Sequence, residues 1–239
     1  MAQGWGNQAY SPRALDQAAY DVGLRQYMLS IYNYMAGGLA VTGLVAYLVA
    51  QSPEAMHAIY GTPLQWVVML APLGFVFYFS MRIGRMSLGA AQLTFWLFAA
   101  AMGLSLSYIF LAYTGNSIAR VFFVTAAAFA GTSLYGYTTR TDLSRFGSFL
   151  MMGLIGIILA SLVNMFLASS ALQFAISIIG VLVFTGLTAW DTQRLKEVYA
   201  EGYDQASMGK LAVSGALTLY LDFINLFVLL LQLFGDRRS

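Results

Sequence analysis

Seven apolar runs, each of about 20 residues or more and so long enough to cross a bilayer, set the pattern of this chain: 31–51, 64–82, 89–113, 117–138, 147–168, 171–191 and 210–234. The breaks between them are short and punctuated by Ser52-Pro53, Gly61-Thr62-Pro63, Gly84-Arg85, Gly115-Asn116, residues 139–145 and Ser169-Ser170. Only the break between the sixth and seventh runs is longer and charged. No alternation of apolar and polar residues over about ten positions recurs, so helices and not a barrel must satisfy the backbone in lipid. The pattern predicts an all-α integral membrane protein with seven transmembrane helices. No soluble domain or internal repeat interrupts it, which gives one transmembrane domain over residues 31–239 after an amino-terminal segment, 1–30. In that segment Ser11-Pro12 offers an N-cap and a first-turn proline. Leu15, Ala19, Val22 and Leu29 give a modest apolar side, and Asp21 and Arg25 form an i,i+4 pair. A short cytosolic helix at the membrane interface is expected there, and a merely solvated one is the alternative.

Basic residues orient the bundle. With the amino terminus inside, nine of the twelve (Arg13, Arg25, Arg82, Arg85, Arg140, Arg145, Arg194, Lys196 and Lys210) fall on the cytosolic side, and Arg120, Arg237 and Arg238 fall outside. The basic tail Asp236-Arg237-Arg238 runs against this bias and leaves a re-entrant last helix as the competing topology. Composition agrees with a membrane protein: 59% of residues are apolar and 9% charged, against about 25% charged in soluble domains. A net charge of +2 from scattered residues gives no nucleic-acid surface. With no cysteine, disulfides, thiol nucleophiles and cysteine metal sites are excluded. The first thirty residues have no apolar core of signal-peptide length, so no cleaved leader is expected.

The last run, Ser207 to Phe234, carries one carboxylate, Asp222, about eleven residues from its start, roughly 16 Å at the helical rise. An aspartate at mid-span costs about 2.5 to 3.5 kcal/mol, and its short side chain cannot reach water from there. Ser214, Thr218, Asp222 and Asn225 are spaced four, four and three apart, which makes one polar stripe in an apolar sheath. Asp191, near the end of the sixth run, looks interfacial on its own. If that helix continues to about Tyr199 and the chain turns back near Gly202 to Asp204, Asp191 and Asp222 reach comparable depths on antiparallel neighbours, with Thr188 one turn from the first and Asn225 beside the second. Two acids in a poorly solvated site cannot easily both ionise, so they should share a proton and titrate as one unit. The alternative is that Asp191 caps a helix end and never meets Asp222.

Such a pair has three chemical uses: a hydrolytic dyad, a proton relay, or oxygen ligands for a hard cation. The presenilin type of intramembrane protease has glycines before its second aspartate. Here the residues are Tyr220-Leu221-Asp222, which argues against proteolysis and for a protein that is not an enzyme. A permanent calcium cage needs six to eight oxygens, whereas transient calcium binding at Asp191 and Asp222 needs fewer. Arg82, closing the second run, is either an interfacial anchor or a guanidinium able to swing towards the acids, with Pro72 allowing that helix to bend. The single imidazole, His57, is expected at the surface.

The segment Leu219-Tyr220-Leu221-Asp222-Phe223-Ile224-Asn225-Leu226-Phe227, Asp191-Thr192-Gln193 at the end of the sixth run, and the seven-run layout closely resemble the Bax inhibitor-1 family from about Gln26 onwards. The resemblance implies a central seventh helix surrounded by the other six and a pH-sensitive calcium leak. It further implies Asp191 and Asp222 as the pH-sensing pair and Arg82 as the gating latch of the closed pore. Partners implied are the calcium ion, the proton and the lipid bilayer, with no resident cofactor. Bacterial members that restrain a membrane-bound AAA protease, and eukaryotic ones that suppress cell death, make an interaction protein the alternative. The chain lacks the lysine-rich tail of some eukaryotic members, which points to a bacterial inner-membrane protein with a cytoplasmic amino terminus.

Because the chain has no cysteine, single cysteines at Ala2, Gly61 and Ser239 test this orientation with an impermeant thiol reagent on intact cells. Labelling is expected at Gly61 and Ser239 but not at Ala2. Labelling at Ala2, or none at Gly61, would overturn it, and protection of Ser239 alone would favour a re-entrant last helix.

Overall fold

The computed structural model describes residues 12–199 and 204–238, with side chains from residue 20 onwards. Nine α-helices are present among these residues: α1 (Pro12–Ala50), α2 (Pro53–Tyr60), α3 (Leu64–Arg82), α4 (Leu88–Leu106), α5 (Ile109–Ala112), α6 (Gly115–Thr138), α7 (Ser144–Leu167), α8 (Ser170–Val198) and α9 (Gln205–Phe234). Seven of them, α1, α3, α4, α6, α7, α8 and α9, are long and apolar enough to cross a membrane, as the runs predict. Most of the short breaks supply a side-chain cap for the helix that follows, those before α3 and α7 excepted. The hydroxyls of Ser52, Ser87, Thr114 and Ser169, and the carboxylate of Asp204, accept from backbone N–H groups in the first turns of α2, α4, α6, α8 and α9. The outer break after the first run holds the two-turn helix α2, on which His57 is exposed.

The amino-terminal expectation changes. Residue 30 is no boundary: α1 runs unbroken from Pro12 to Ala50, 39 residues or about 58 Å. Leu24, Tyr27 and Met28, in its leading part, are buried. Tyr20 and Tyr27 pack on the ring of Tyr199, at 5.2 and 5.7 Å between centroids, just past the end of α8. This part of α1 is therefore held as bundle and not as a loose interfacial segment. The capping role of Ser11, the apolar contribution of Leu15 and Ala19, and the turn at Gly202 lie outside the described residues.

The most buried of the seven long helices is α9, and α7 is the least. α9 packs mainly against α8, α1, α6 and α4. α3 is held mainly by α4, and α7 by α8, so both lie outside this collar. Hydropathy alone does not separate the two kinds of helix, because in lipid an outward face is as apolar as an inward one. The collar has two breaks, since neither α1 and α6 nor α4 and α8 pack closely together.

Tyr220, fully buried on α9, pins three of these helices. Thr42 of α1 donates its hydroxyl to the carbonyl of Ala99 on α4 at 2.8 Å, and its oxygen lies 2.6 Å from the Tyr220 hydroxyl. Thr42 has one proton to give, so Tyr220 is the donor in the second bond. The rings of Phe95 and Phe98 meet Tyr220 edge-on.

After α9, the basic tail is explained by a backbone tie. Thr114 N–H donates to Asp236 O and Arg238 N–H to Ala112 O, both at 3.0 Å, while Arg120 forms a 2.9 Å ion pair with Asp236. α9 is unbroken over 30 residues, about 45 Å, and ends beside the α5–α6 connection. It is one continuous helix of membrane-spanning length.

The α6–α8 crossing depends on Gly136, where an added Cβ would collide with the backbone oxygen of Ala189. Gly136→Ala should cost about 1–3 kcal/mol and lower Tm in detergent. Gly131→Ala, on the same helix with open space around it, should leave Tm unchanged or raised. Equal stability of the two variants would refute the close approach.

Candidate functional site

Asp191 and Asp222 come together. α8 runs on to Val198 and α9 starts at Gln205, which meets the condition that the spacing set. Antiparallel packing is locked by glycine notches: Gly180 faces Leu229, and Gly215 faces both Leu195 of α8 and Ile31 of α1. The two carboxyl groups then lie within hydrogen-bonding reach of each other, with Asp222 only 5% exposed and Asp191 8%. Oδ2 of Asp222 is buried and no donor among the described residues reaches it. Two carboxylates are both acceptors, so a bond between them requires a proton.

The surroundings are hydroxyl-rich and directional. Thr188 and Thr192, both fully buried, donate to the carbonyls of Phe184 and Thr188 at 2.8 and 2.7 Å. Ser133 of α6 lies 2.9 Å from the Thr192 hydroxyl, and Tyr32 of α1 lies 2.7 Å from Ser133. Since the Thr192 proton is already committed, the row reads Tyr32 to Ser133 to Thr192, each donating to the next. It ends on the residue beside Asp191. Gln193 follows, accepting from Leu143 N–H at 2.8 Å and donating to Thr141 O at 2.9 Å, so it fixes the α6–α7 connection under the site.

The other residues singled out from the sequence divide. Thr188 stands one turn before Asp191 on α8. Ser214, Thr218 and Asn225 are half-buried on the face of α9 that the collar leaves least covered. Thr218 and Asn225 bond the carbonyls of Ser214 and Leu221, one turn back, at 3.3 and 2.8 Å. Gln232 extends this face at the far end of α9, where its side-chain oxygen accepts from Gln173 and Ser177 of α8 at 2.7 and 3.0 Å. Arg82 is not brought to the pair: it is exposed at the end of α3. The cation whose charge acts on Asp191 is Arg194, one turn along α8, with its guanidinium over the Trp190 ring. Among the described residues no third histidine, aspartate or glutamate joins the two acids into a larger ligand cluster.

Tyr32, Ser133 and Gln193 were not marked by the sequence as part of this centre. Their partners lie on other helices, far away in the chain, and only Gln193 carries a local signal, its place in Asp191-Thr192-Gln193.

A bundle of seven membrane-length helices enclosing a pair of facing carboxyls defines a multi-pass helical membrane protein with an acidic centre. Residues 24–239 match the family described as inhibitor of apoptosis-promoting Bax1, and the chain belongs to this Bax inhibitor-1 family. It is 51% identical over 221 residues to a Rickettsia prowazekii protein, covering 92% of this chain and 93% of the relative. It is 48% identical over 219 residues to the Escherichia coli inner membrane protein YbhL, covering 90% and 94%. A Caulobacter vibrioides protein is 48% identical over 229 residues, covering 92% of each.

Proposed function

We propose that this protein is a pH-responsive, calcium-permeable leak of a bacterial inner membrane, with Asp191 and Asp222 as its proton-sensing element and its amino terminus in the cytoplasm. The observation that carries the reading is the facing of two buried carboxyls within hydrogen-bonding reach on the last two spans. Sharing one proton, the pair bears a single negative charge. Losing that proton leaves two adjacent negative charges in poorly solvated surroundings, an arrangement relieved either by separation of α8 from α9 or by a divalent cation. Calcium is a hard ion that prefers oxygen ligands, and two carboxylates suit one in passage better than one in residence. The half-exposed stripe of Ser214, Thr218 and Asn225, continued by Gln232, supports a polar path along α9. No enzymatic step is assigned to the pair. The inner-membrane assignment rests on the relationship to YbhL.

Arg82 is proposed as the latch. Its helix is held mainly by α4, so α3 has few contacts to break in bringing the guanidinium towards the pair. Arg82→Ala should raise calcium leak at a pH where the native protein is tight. Unchanged flux through a folded variant would return Arg82 to the role of interfacial anchor.

The test of the pair uses liposomes containing only this protein, loaded with a calcium dye, with initial rates recorded from about pH 5 to 8 and pH matched on both sides. Asparagine keeps size and an acceptor oxygen but deletes the titration. Asp191→Asn and Asp222→Asn should each flatten the pH response, and the double variant should add little because the two act as one unit. A native pH profile in either variant, or simple addition of the two effects, would defeat the reading.

A further inference from the structure

A large cavity lies apart from the two acids. It is a groove of about 1090 Å³ along the break between α1 and α6, floored by Phe223 of α9. It reaches from Arg25 to Tyr47 on α1, about 33 Å at the helical rise, which makes it long and narrow, the shape of an extended hydrocarbon chain.

Its walls are built for that width. Ala36 and Ala40 on α1, and Ala126 and Ala130 on α6, are each one turn apart and leave the space that larger side chains would fill. Over most of its length the lining is apolar, and Tyr32, Ser133, Tyr137 and Arg25 gather towards one end. That end lies at the membrane boundary. Gly23 and Gly209 line one small cleft there, and Gly209 faces Leu88, the first residue of α4. Arg25 therefore sits close to the level at which a span begins, where a lipid headgroup would be. Behind Tyr137, which lines that end, Lys196 donates to the Tyr137 carbonyl at 2.9 Å and brings a second positive charge to that wall of the groove. From Arg25 to Ala40 is about 22 Å, enough to pass from the headgroup level through the roughly 15 Å of one leaflet's hydrocarbon.

We infer that the groove between α1 and α6 binds an anionic phospholipid, with an acyl chain against Ala36, Ala40, Ala126 and Ala130 and the phosphate at Arg25. A cationic mouth above a chain-wide apolar slot selects lipid with net negative charge over zwitterionic lipid of the same tails. The outer face of α7 provides the contrast: it exposes large side chains such as Met152 and Ile155. Lipid touching it should be exchangeable and unselective.

The test uses the full chain in phosphatidylcholine nanodiscs carrying a trace of phosphatidylglycerol with a photoreactive group at mid-chain, and maps the labelled residues by mass spectrometry. Labelling around Ala36 and Ala130 should saturate, and unlabelled phosphatidylglycerol should displace it better than phosphatidylcholine does. Labelling around Met152 and Ile155 should rise without saturating. Arg25→Gln should reduce the preference for the anionic competitor about fivefold, the value of one basic residue at an anionic surface. Ala130→Phe should abolish groove labelling while sparing α7, with Ala40→Leu as the second filling variant if the first does not fold. Equal displacement by both lipids in the native protein, or groove labelling that grows without saturation as on α7, would overturn the proposal.

Discussion

Two carboxyl groups removed from water, with one oxygen that no donor among the described residues reaches, form the constraint around which this bundle is arranged. An isolated buried charge is costly, and two facing charges cost more. The arrangement becomes acceptable once the acids share a proton, and that requires α8 and α9 to hold a fixed register. Gly180 and Gly215 let them come close. On the other side of α9, the Thr42–Tyr220 bond fixes its rotation against α1 and α4. The same contacts that make α9 the most buried long helix therefore aim Asp222 at Asp191.

Around this centre the polar groups are placed economically. The row Tyr32, Ser133, Thr192 runs from α1 through α6 to α8 and ends beside Asp191. Gln193 anchors the connection below it. The α9 stripe is half-buried, while the break between α1 and α6 is apolar along most of its length.

Much of this was legible in the chain. Seven runs of spanning length, a stripe with a four-four-three spacing and a longer, charged break between the last two runs are local or periodic features, and periodicity is what a single sequence displays best. The proximity of Asp191 and Asp222 followed from counting residues around that break. What escaped depended on packing across distant segments. The part of α1 before residue 30 looked interfacial because its apolar side is modest, yet Tyr20 and Tyr27 bury against Tyr199, some 170 residues away. That α9 packs mainly on four helices, with α3 held by α4 and α7 by α8, has no sign in the hydropathy of α3 and α7. Arg82 was expected at the pair on the strength of family resemblance, and here it stands exposed at the end of its helix, with Arg194 the nearer charge.

The central claim is that one proton belongs jointly to Asp191 and Asp222. Infrared difference spectroscopy of the protein in lipid reads it directly through the carbonyl stretch of a protonated carboxyl group. The account predicts one such band in the native protein at neutral pH, shifted or lost in Asp191→Asn and equally in Asp222→Asn. Absence of that band, or a band that either replacement leaves untouched, would contradict it.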